Sequence, residues 1–136
     1  MDSTRQALII DVVKDVLAED ERVVFAHLYG SFPQGERYED LDIAIYSLPG
    51  VEPFALSADI KVALHEKTGI SPDFFDVRVI NGLLDHGDLF SLLYLKRVFE
   101  SDQLLVDKDF DTRTDFLQRY GIKYRECEGL IDEVLL

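Results

Sequence analysis

Cysteine is almost absent from this chain, which has 136 residues and a single cysteine, Cys127. One cysteine cannot form an internal disulfide, so a disulfide-stabilised scaffold is excluded and a reducing compartment, the cytoplasm, is expected. The N-terminal residues lack the basic and then apolar order of a signal peptide. No apolar run approaches the roughly 20 residues that a membrane-spanning helix needs, so no membrane association is expected.

Basic residues are also scarce, because 14 Lys and Arg stand against 27 Asp and Glu, for a net charge of −13. Binding to a nucleic-acid backbone needs clustered Lys and Arg, so direct nucleic-acid binding is not expected. An acidic site that recruits a divalent cation and then a nucleotide is compatible with this charge. So is a basic protein partner, and so is a role in solubility alone.

Proline and glycine are infrequent, at 4 and 8 residues, and no repeat or linker is visible, so we expect one domain over residues 1–136. Apolar periodicity predicts helices over 3–19, 53–68, 83–96 and 111–136, strands over 22–29, 41–46 and 74–80, and a short extended segment or hairpin over 98–106. This order predicts an α+β fold, with a small mixed β-sheet and helices packed on one face. The core would span about 1–106, and a helical C-terminal extension about 107–136.

Two aspartates begin the second predicted strand, a short loop after the Gly-Ser turn that ends the first strand. Alternation with a period of two places Asp40 and Asp42 on the same face of that strand. Two carboxylates about one strand repeat apart can jointly hold a hard cation such as Mg²⁺. Gly30 lets the backbone approach a phosphate closely, and Ser31 adds a hydroxyl and an N–H donor. The combination predicts a site for a nucleotide and a metal ion.

A third carboxylate is expected to complete the metal site, and the third predicted strand offers Asp73 and Asp76. If Phe75 and Val77 form the core face, Asp76 lies in mid-strand on the more polar face. Asp73 follows Pro72 at the entrance to the strand, where a carboxylate that caps a turn is unremarkable. We therefore choose Asp76.

This set of residues resembles the GSF-x-x-G … D-x-D signature of the nucleotidyltransferase superfamily typified by DNA polymerase β. Residues 29–45 carry the signature, and they are most similar to the minimal nucleotidyltransferase (MNT) group, which is encoded beside HEPN-domain proteins in toxin–antitoxin pairs. Residues 75–81 look like the third-strand segment of that group. Residues 97–100 fall, without a gap from Asp76, where the group has L-L-Y-E. Residues 115–135 resemble its last helix.

Two departures from the MNT pattern bear on activity. Eight residues separate Gly-Ser from D-x-D here, where many members have ten. An alignment without a gap would put Asp42 in the first aspartate position and Ala44 in the second, and would predict an inactive protein. The match of D-L-D-I-A-I to the family's D-I-D-L-A-V favours the shorter loop, with Asp40 and Asp42 as the pair. Gln34 stands where the family often has Arg, and Arg37 is expected to replace that contact with the triphosphate.

The resemblance implies a Mg²⁺-dependent nucleotidyltransferase that transfers AMP from ATP to a tyrosine hydroxyl of a HEPN ribonuclease toxin and so acts as its antitoxin. Two alternatives stay open: a non-catalytic acidic antitoxin that acts by binding and occlusion, and a small-molecule nucleotidyltransferase of the aminoglycoside-modifying kind. The sequence leaves homo- or hetero-oligomeric assembly undecided. The residues that the resemblance assigns are Asp40, Asp42 and Asp76 for catalysis and metal binding, and Gly30, Ser31 and Arg37 for nucleotide binding.

Overall fold

The structure of the chain is a computed structural model that describes residues 3–30, 40–85, 88–101 and 103–135. The α+β class, the mixed sheet and the C-terminal helix predicted from the sequence are confirmed. In chain order the elements are α1 (Ser3–Glu19), β1 (Val23–Tyr29), β2 (Leu41–Ser47), α2 (Pro53–Thr68), a 3₁₀ turn (Pro72–Phe74), β3 (Phe75–Val79), α3 (Leu89–Glu100), β4 (Gln103–Asp107) and α4 (Phe110–Leu135).

A four-stranded sheet in the order β3-β2-β1-β4 organises these elements. Strand β1 is antiparallel to both β2 and β4, whereas β2 and β3 are parallel. A parallel pair needs a crossover of a dozen or more residues, which the 16-residue helix α2 supplies. That helix has the predicted bounds because Pro53 occupies its first turn and Gly69, at φ 73°, ends it in the left-handed conformation.

The helices cover both faces of the sheet. Helices α1 and α2 pack on the face that carries Leu28, Ile43 and Val77, and this face holds the larger apolar cluster. Helices α3 and α4 pack on the opposite face, where Phe116 meets Phe25. The sequence analysis expected helices on one face. The difference follows from β1, whose seven residues are all buried, because a strand buried throughout needs cover on both sides.

The third helix begins and ends later than the predicted span of 83–96. The Asp88 side chain caps α3 by accepting a hydrogen bond from the Ser91 backbone N–H at 2.7 Å. Residues 81–85 form turns instead, and Asn81 holds them to the sheet. Its side chain accepts from the Ser47 N–H at 2.8 Å and donates to the Ser47 carbonyl at 2.7 Å. The predicted start of this helix was therefore wrong, because the apolar periodicity continues into a turn that Asn81 binds to the sheet.

Candidate nucleotide and metal site

The sheet register brings the three predicted carboxylates together. Asp42 on β2 is paired with Asp76 on β3 and, on its other side, with Tyr29 on β1. Asp40 lies two positions before Asp42 and so shares its face. One carboxylate oxygen from each of Asp40, Asp42 and Asp76 lies within 4.8 Å of the other two. Oxygen ligands at this spacing are what a hard divalent cation prefers.

The electrostatics of Asp42 explain why such a cluster favours a cation. Burial raises the pKa of Asp42 from its usual 3.8 to about 6, and the negative charges of Asp40 and Asp76 add to the rise. Arg97 acts in the opposite direction and does not cancel these effects. A divalent cation among the three carboxylates would remove their mutual repulsion. The donor set, the spacing and the unfavourable charge of the cluster therefore fit Mg²⁺.

Gly30 ends β1 directly beside Asp42. Its φ of +80° lies in the left-handed region that side-chain-bearing residues rarely adopt. A Cβ built at this position would collide with Oδ2 of Asp42 and would stand 3.4 Å from its Cγ. Glycine is therefore required here both by the backbone conformation and by the position of the carboxylate. Ser31 and Arg37 lie outside the described residues, so their expected roles at the nucleotide stay predictions.

Two tyrosines next to the carboxylates were not identified from the sequence. The hydroxyls of Tyr29 and Tyr94 are 2.8 Å apart, and their rings meet edge to face. Burial raises the pKa of Tyr94 to about 12 and raises the pKa of Tyr29 further, so both stay protonated at neutral pH. Tyr29 has a local signal, since it precedes Gly30 and faces the same way as Asp42. Tyr94 comes from α3, and nothing in its own sequence neighbourhood indicates the site.

Arg78 is a further residue of the site that the sequence analysis did not single out for a role. It lies two positions after Asp76 on the same face of β3, and its Nε is 3.9 Å from Oδ1 of Asp76. Its guanidinium carbon also stands 5.1 Å from the centre of the Tyr94 ring. More than half of the Arg78 side chain is exposed, so we expect the ion pair to contribute little to stability. Arg78 therefore lies on the solvent-exposed side of the carboxylate cluster, next to Asp76.

The residues that the sequence analysis weighed and rejected lie elsewhere. Asp73 is exposed on the 3₁₀ turn before β3 and is not a member of the carboxylate cluster formed by the described residues. Ala44 is fully buried in the apolar cluster beneath α3 and α4. A gapless alignment would need a carboxylate at that buried position. The geometry is thus consistent with the shorter loop and with Asp40 and Asp42 as the pair.

Comparisons with known proteins find a match in fold but none in sequence. No protein-family profile and no curated protein matches the chain. Solved structures do match it. One is a complex of tri-AMPylated Shewanella oneidensis HEPN toxin with MNT antitoxin, at a TM-score of 0.59 and 18% identity, covering 96% of this chain and 99% of that one. The chain has the MNT antitoxin fold.

Two further structures support the same MNT fold. A toxin–antitoxin with AMP-PNP matches at a TM-score of 0.58 and 19% identity, over 96% of this chain and 98% of that one. A mutant of the toxin–antitoxin MntA–HpeT matches at 0.58 and 16% identity over the same shares. Because these matches span nearly the whole chain, the shared fold includes the C-terminal helix as well as the sheet. None of the described helices has both the length and the apolar character needed to cross a membrane.

Proposed function

We propose that this chain is a Mg²⁺-dependent nucleotidyltransferase that transfers AMP from ATP to a tyrosine hydroxyl of a HEPN-domain toxin in the cytoplasm and so acts as an antitoxin. The observation that carries the proposal is the cluster of three carboxylates beside a left-handed glycine. The matching structures support the choice of substrates. One is a toxin–antitoxin with AMP-PNP, and another contains a HEPN toxin that is tri-AMPylated.

The three carboxylates would form two metal-binding positions. Asp40 and Asp42 would hold a Mg²⁺ ion at the phosphates of ATP, and Asp42 with Asp76 would hold a second one near the acceptor. When bound, the ions neutralise the phosphate charge and lower the pKa of the attacking hydroxyl. Asp42 is shared between both positions, which makes it the residue whose loss is expected to cost most activity.

The chain itself contributes mainly position and electrostatics. Gly30 keeps space free beside Asp42, so that phosphates can approach the end of β1 closely. The backbone N–H and hydroxyl of Ser31 would donate to the leaving phosphates, and Arg37 would add a positive charge there. The acceptor oxygen forms a bond to the α-phosphorus as the bond to the pyrophosphate oxygen breaks, roughly in line. The hydroxyl proton passes to solvent, and pyrophosphate leaves.

Tyr29 and Tyr94 connect two elements next to the carboxylate cluster. Their hydroxyl pair links β1 to α3 under the carboxylates, and both groups keep their protons because burial raises their pKa. Neutral phenols next to an acidic cluster add no further negative charge to it. We therefore assign them a positioning role, in which they hold α3 against the strand that precedes Gly30.

Catalysis explains the carboxylate cluster better than occlusion alone. Partly burying Asp42 among like charges disfavours its ionised form, as its raised pKa shows. A protein that only binds and covers its partner has no use for that arrangement, whereas a metal-dependent transferase requires it. Occlusion and small-molecule transfer are the alternative functions that the following experiment distinguishes.

The test is transfer of label from ATP to the product of the neighbouring gene, which the proposal predicts to be a HEPN protein, in the presence of Mg²⁺. Wild type should place AMP on a tyrosine of that protein. Asp40→Asn, Asp42→Asn and Asp76→Asn should each reduce the rate by about 10²–10³-fold or more, because each removes a carboxylate that would hold the charge-neutralising Mg²⁺. Asp73→Asn is the matched control, since it removes a neighbouring carboxylate outside the cluster.

Three results would contradict the proposal. Tight binding of wild type to the HEPN protein without any transfer would leave occlusion as the function. Label on an aminoglycoside, with none on protein, would identify a small-molecule enzyme. Equal losses in Asp73→Asn and Asp76→Asn would show that the carboxylate cluster is not the reacting centre.

A further inference from the structure

A cavity of about 190 Å³ lies between the edge strand β3 and the first turns of α3. It adjoins the carboxylate cluster through two of its own walls. Arg78 reaches back towards Asp76, and Tyr94 reaches back through its hydroxyl to Tyr29. The residues that line this cavity are Arg78, Val79, Leu83, Phe90, Ser91 and Tyr94.

The order of the strands fixes which side of the reaction this cavity serves. Gly30 follows β1, Asp42 lies on the adjacent β2, and Asp76 lies on β3, which also lines the cavity. Neighbouring strands are about 4.8 Å apart, so Gly30 and Asp76 stand on either side of Asp42. In-line transfer puts the leaving and attacking oxygens on opposite sides of phosphorus. With pyrophosphate at Gly30, we expect the acceptor to approach from the side of Asp76 and β3.

The size and lining of the cavity indicate what kind of acceptor group it takes. Pockets that enclose drug-sized ligands measure roughly 300–1,000 Å³, so this smaller cavity suits a single ring. Its walls offer the faces or edges of Phe90 and Tyr94, together with apolar Leu83. Phe90 is 81% exposed and so is available to a partner. Arg78 adds a guanidinium that can lie against a ring.

We infer that this cavity is the acceptor subsite, which receives the aromatic ring of the acceptor tyrosine and holds its hydroxyl towards Asp76. The inference rests on the proposed function and adds to it the location at which the acceptor is recognised. A serine or threonine acceptor would leave the aromatic walls without a partner. The adenine ring of ATP is the competing occupant, and the experiments distinguish the two.

The first experiment measures steady-state transfer from ATP to the HEPN protein by Phe90→Ala. Loss of one ring contact should raise KM for the protein acceptor about 3- to 10-fold and leave KM for ATP unchanged. Phe90→Tyr keeps the ring and should restore the wild-type KM. Phe54→Ala is the matched control, because Phe54 is 85% exposed in the first turn of α2, away from the cavity.

The same measurements can overturn the inference. A rise in KM for ATP alone would place adenine in the cavity. Unchanged KM values for both substrates would show that the cavity binds neither. Equal effects of Phe90→Ala and Phe54→Ala on the protein acceptor would point to a broad contact surface instead of a subsite. Because Phe90 is exposed, its replacement should leave the melting temperature within error of wild type.

A second experiment needs no transfer, so it separates this inference from the proposed function. The full chain is titrated with N-acetyl-tyrosinamide and, separately, with adenosine, while the aromatic NMR signals of Phe90 and Tyr94 are followed. The tyrosine amide should shift both signals, and Phe90→Ala should raise the concentration needed to shift Tyr94 about 3- to 10-fold. Shifts caused by adenosine alone, or by neither compound, would overturn the inference. Failure of the proposed function would show only as missing label on the HEPN protein.

Discussion

The two faces of the sheet differ in what their side chains do. On the face towards α1 and α2, strand β2 contributes Leu41, Ile43 and Ile45, all with no exposed surface. On the face towards α3 and α4, the same strand contributes half-buried Asp42 and then buried Ala44. One face is apolar up to buried Ser47 at its end, whereas the other changes from a carboxylate to packed apolar and aromatic side chains along the length of β2.

This difference shows how a small domain can carry a strained charge cluster. The α1–α2 face contains the larger share of the buried apolar side chains, and that burial provides most of the stability. The opposite face can then place three carboxylates, two of them half-buried, at one end. Because side chains alternate along β2, the residues that stabilise the fold and the residues of the proposed site occupy adjacent positions. Substitutions at adjacent positions should therefore separate stability from activity.

The largest effect is expected for Asp42→Asn, on the face towards α3 and α4, which carries the proposed site and is called the functional face. Transfer of AMP should fall by about 10³-fold, equivalent to ~4 kcal/mol of transition-state stabilisation, because both proposed metal positions would share this carboxylate. Without Mg²⁺ the variant should melt at or above the wild-type temperature, since one like charge has left the cluster. Mg²⁺ should raise the melting temperature of wild type and of Asp73→Asn, and much less that of Asp42→Asn. A large loss of stability in this variant would contradict the division between the faces.

The next largest effect is expected for Ile43→Ala, one residue further along and on the other face. Truncation of this fully buried side chain should lower the free energy of unfolding by about 2–5 kcal/mol, measured by urea denaturation. The turnover of the molecules that remain folded should stay near the wild-type value at low temperature. A loss of turnover comparable to that of Asp42→Asn would show that the two faces are not independent.

A pH-dependent effect is expected for His27, which is buried on the functional face of β1. Within the described part of the chain, neither ring nitrogen has a hydrogen-bond partner, and burial lowers the pKa to about 4, with a contribution from Arg113. The folded state therefore holds this ring neutral, while the unfolded chain takes up a proton below about 6.5. The stability that depends on neutral His27 is present above pH 6.5 and is lost as pH falls towards 4.

The measurement for His27 is the free energy of unfolding between pH 4 and pH 7. The shift corresponds to at most about 3 kcal/mol across that window, at 1.36 kcal/mol per pKa unit. His27→Leu should flatten the pH dependence by a large part of that amount. An unaltered slope in His27→Leu would refute the assignment.

A smaller effect on stability is expected for Gly30→Ala, at the boundary of the functional face. The positive φ should cost about 1–2 kcal/mol in the free energy of unfolding. The added methyl group must also displace the Asp42 carboxylate, so transfer should fall by more than the stability loss explains. Gly50→Ala has a similar φ of 80° with no atoms within 4 Å, so it should show the stability cost without the loss of transfer.

The smallest effect is expected for Tyr94→Phe, which removes one hydroxyl from the pair under the carboxylates. Loss of that hydrogen bond should cost about 1 kcal/mol in the free energy of unfolding, because the Tyr29 hydroxyl loses its partner. KM for the acceptor should stay close to wild type, because the ring that lines the cavity is retained. A pronounced rise in that KM would assign the hydroxyl a direct contact with the acceptor.

The clustering of the three carboxylates could be predicted because its signals are local. The period-two alternation placed Asp40 and Asp42 on one face, and the same reasoning favoured Asp76 over exposed Asp73. The bounds of α2 followed from Pro53 and Gly69, whose backbone preferences act within one turn of the helix. The catalytic roles of the three aspartates, and the roles of Ser31 and Arg37, remain predictions that the transfer assay addresses.

The sequence by itself determined the elements, the alternation of their faces and the residues fit to bind a metal ion, because these depend on neighbouring residues and on backbone geometry. Only the tertiary structure decided that helices cover both faces, that α3 begins at Leu89, and that Tyr94 meets Tyr29. Those features depend on contacts between distant segments, whose free energy appears only once the sheet has formed its register. The cavity next to Arg78 and Tyr94 also depends on contacts between distant segments, because residues of both β3 and α3 line it.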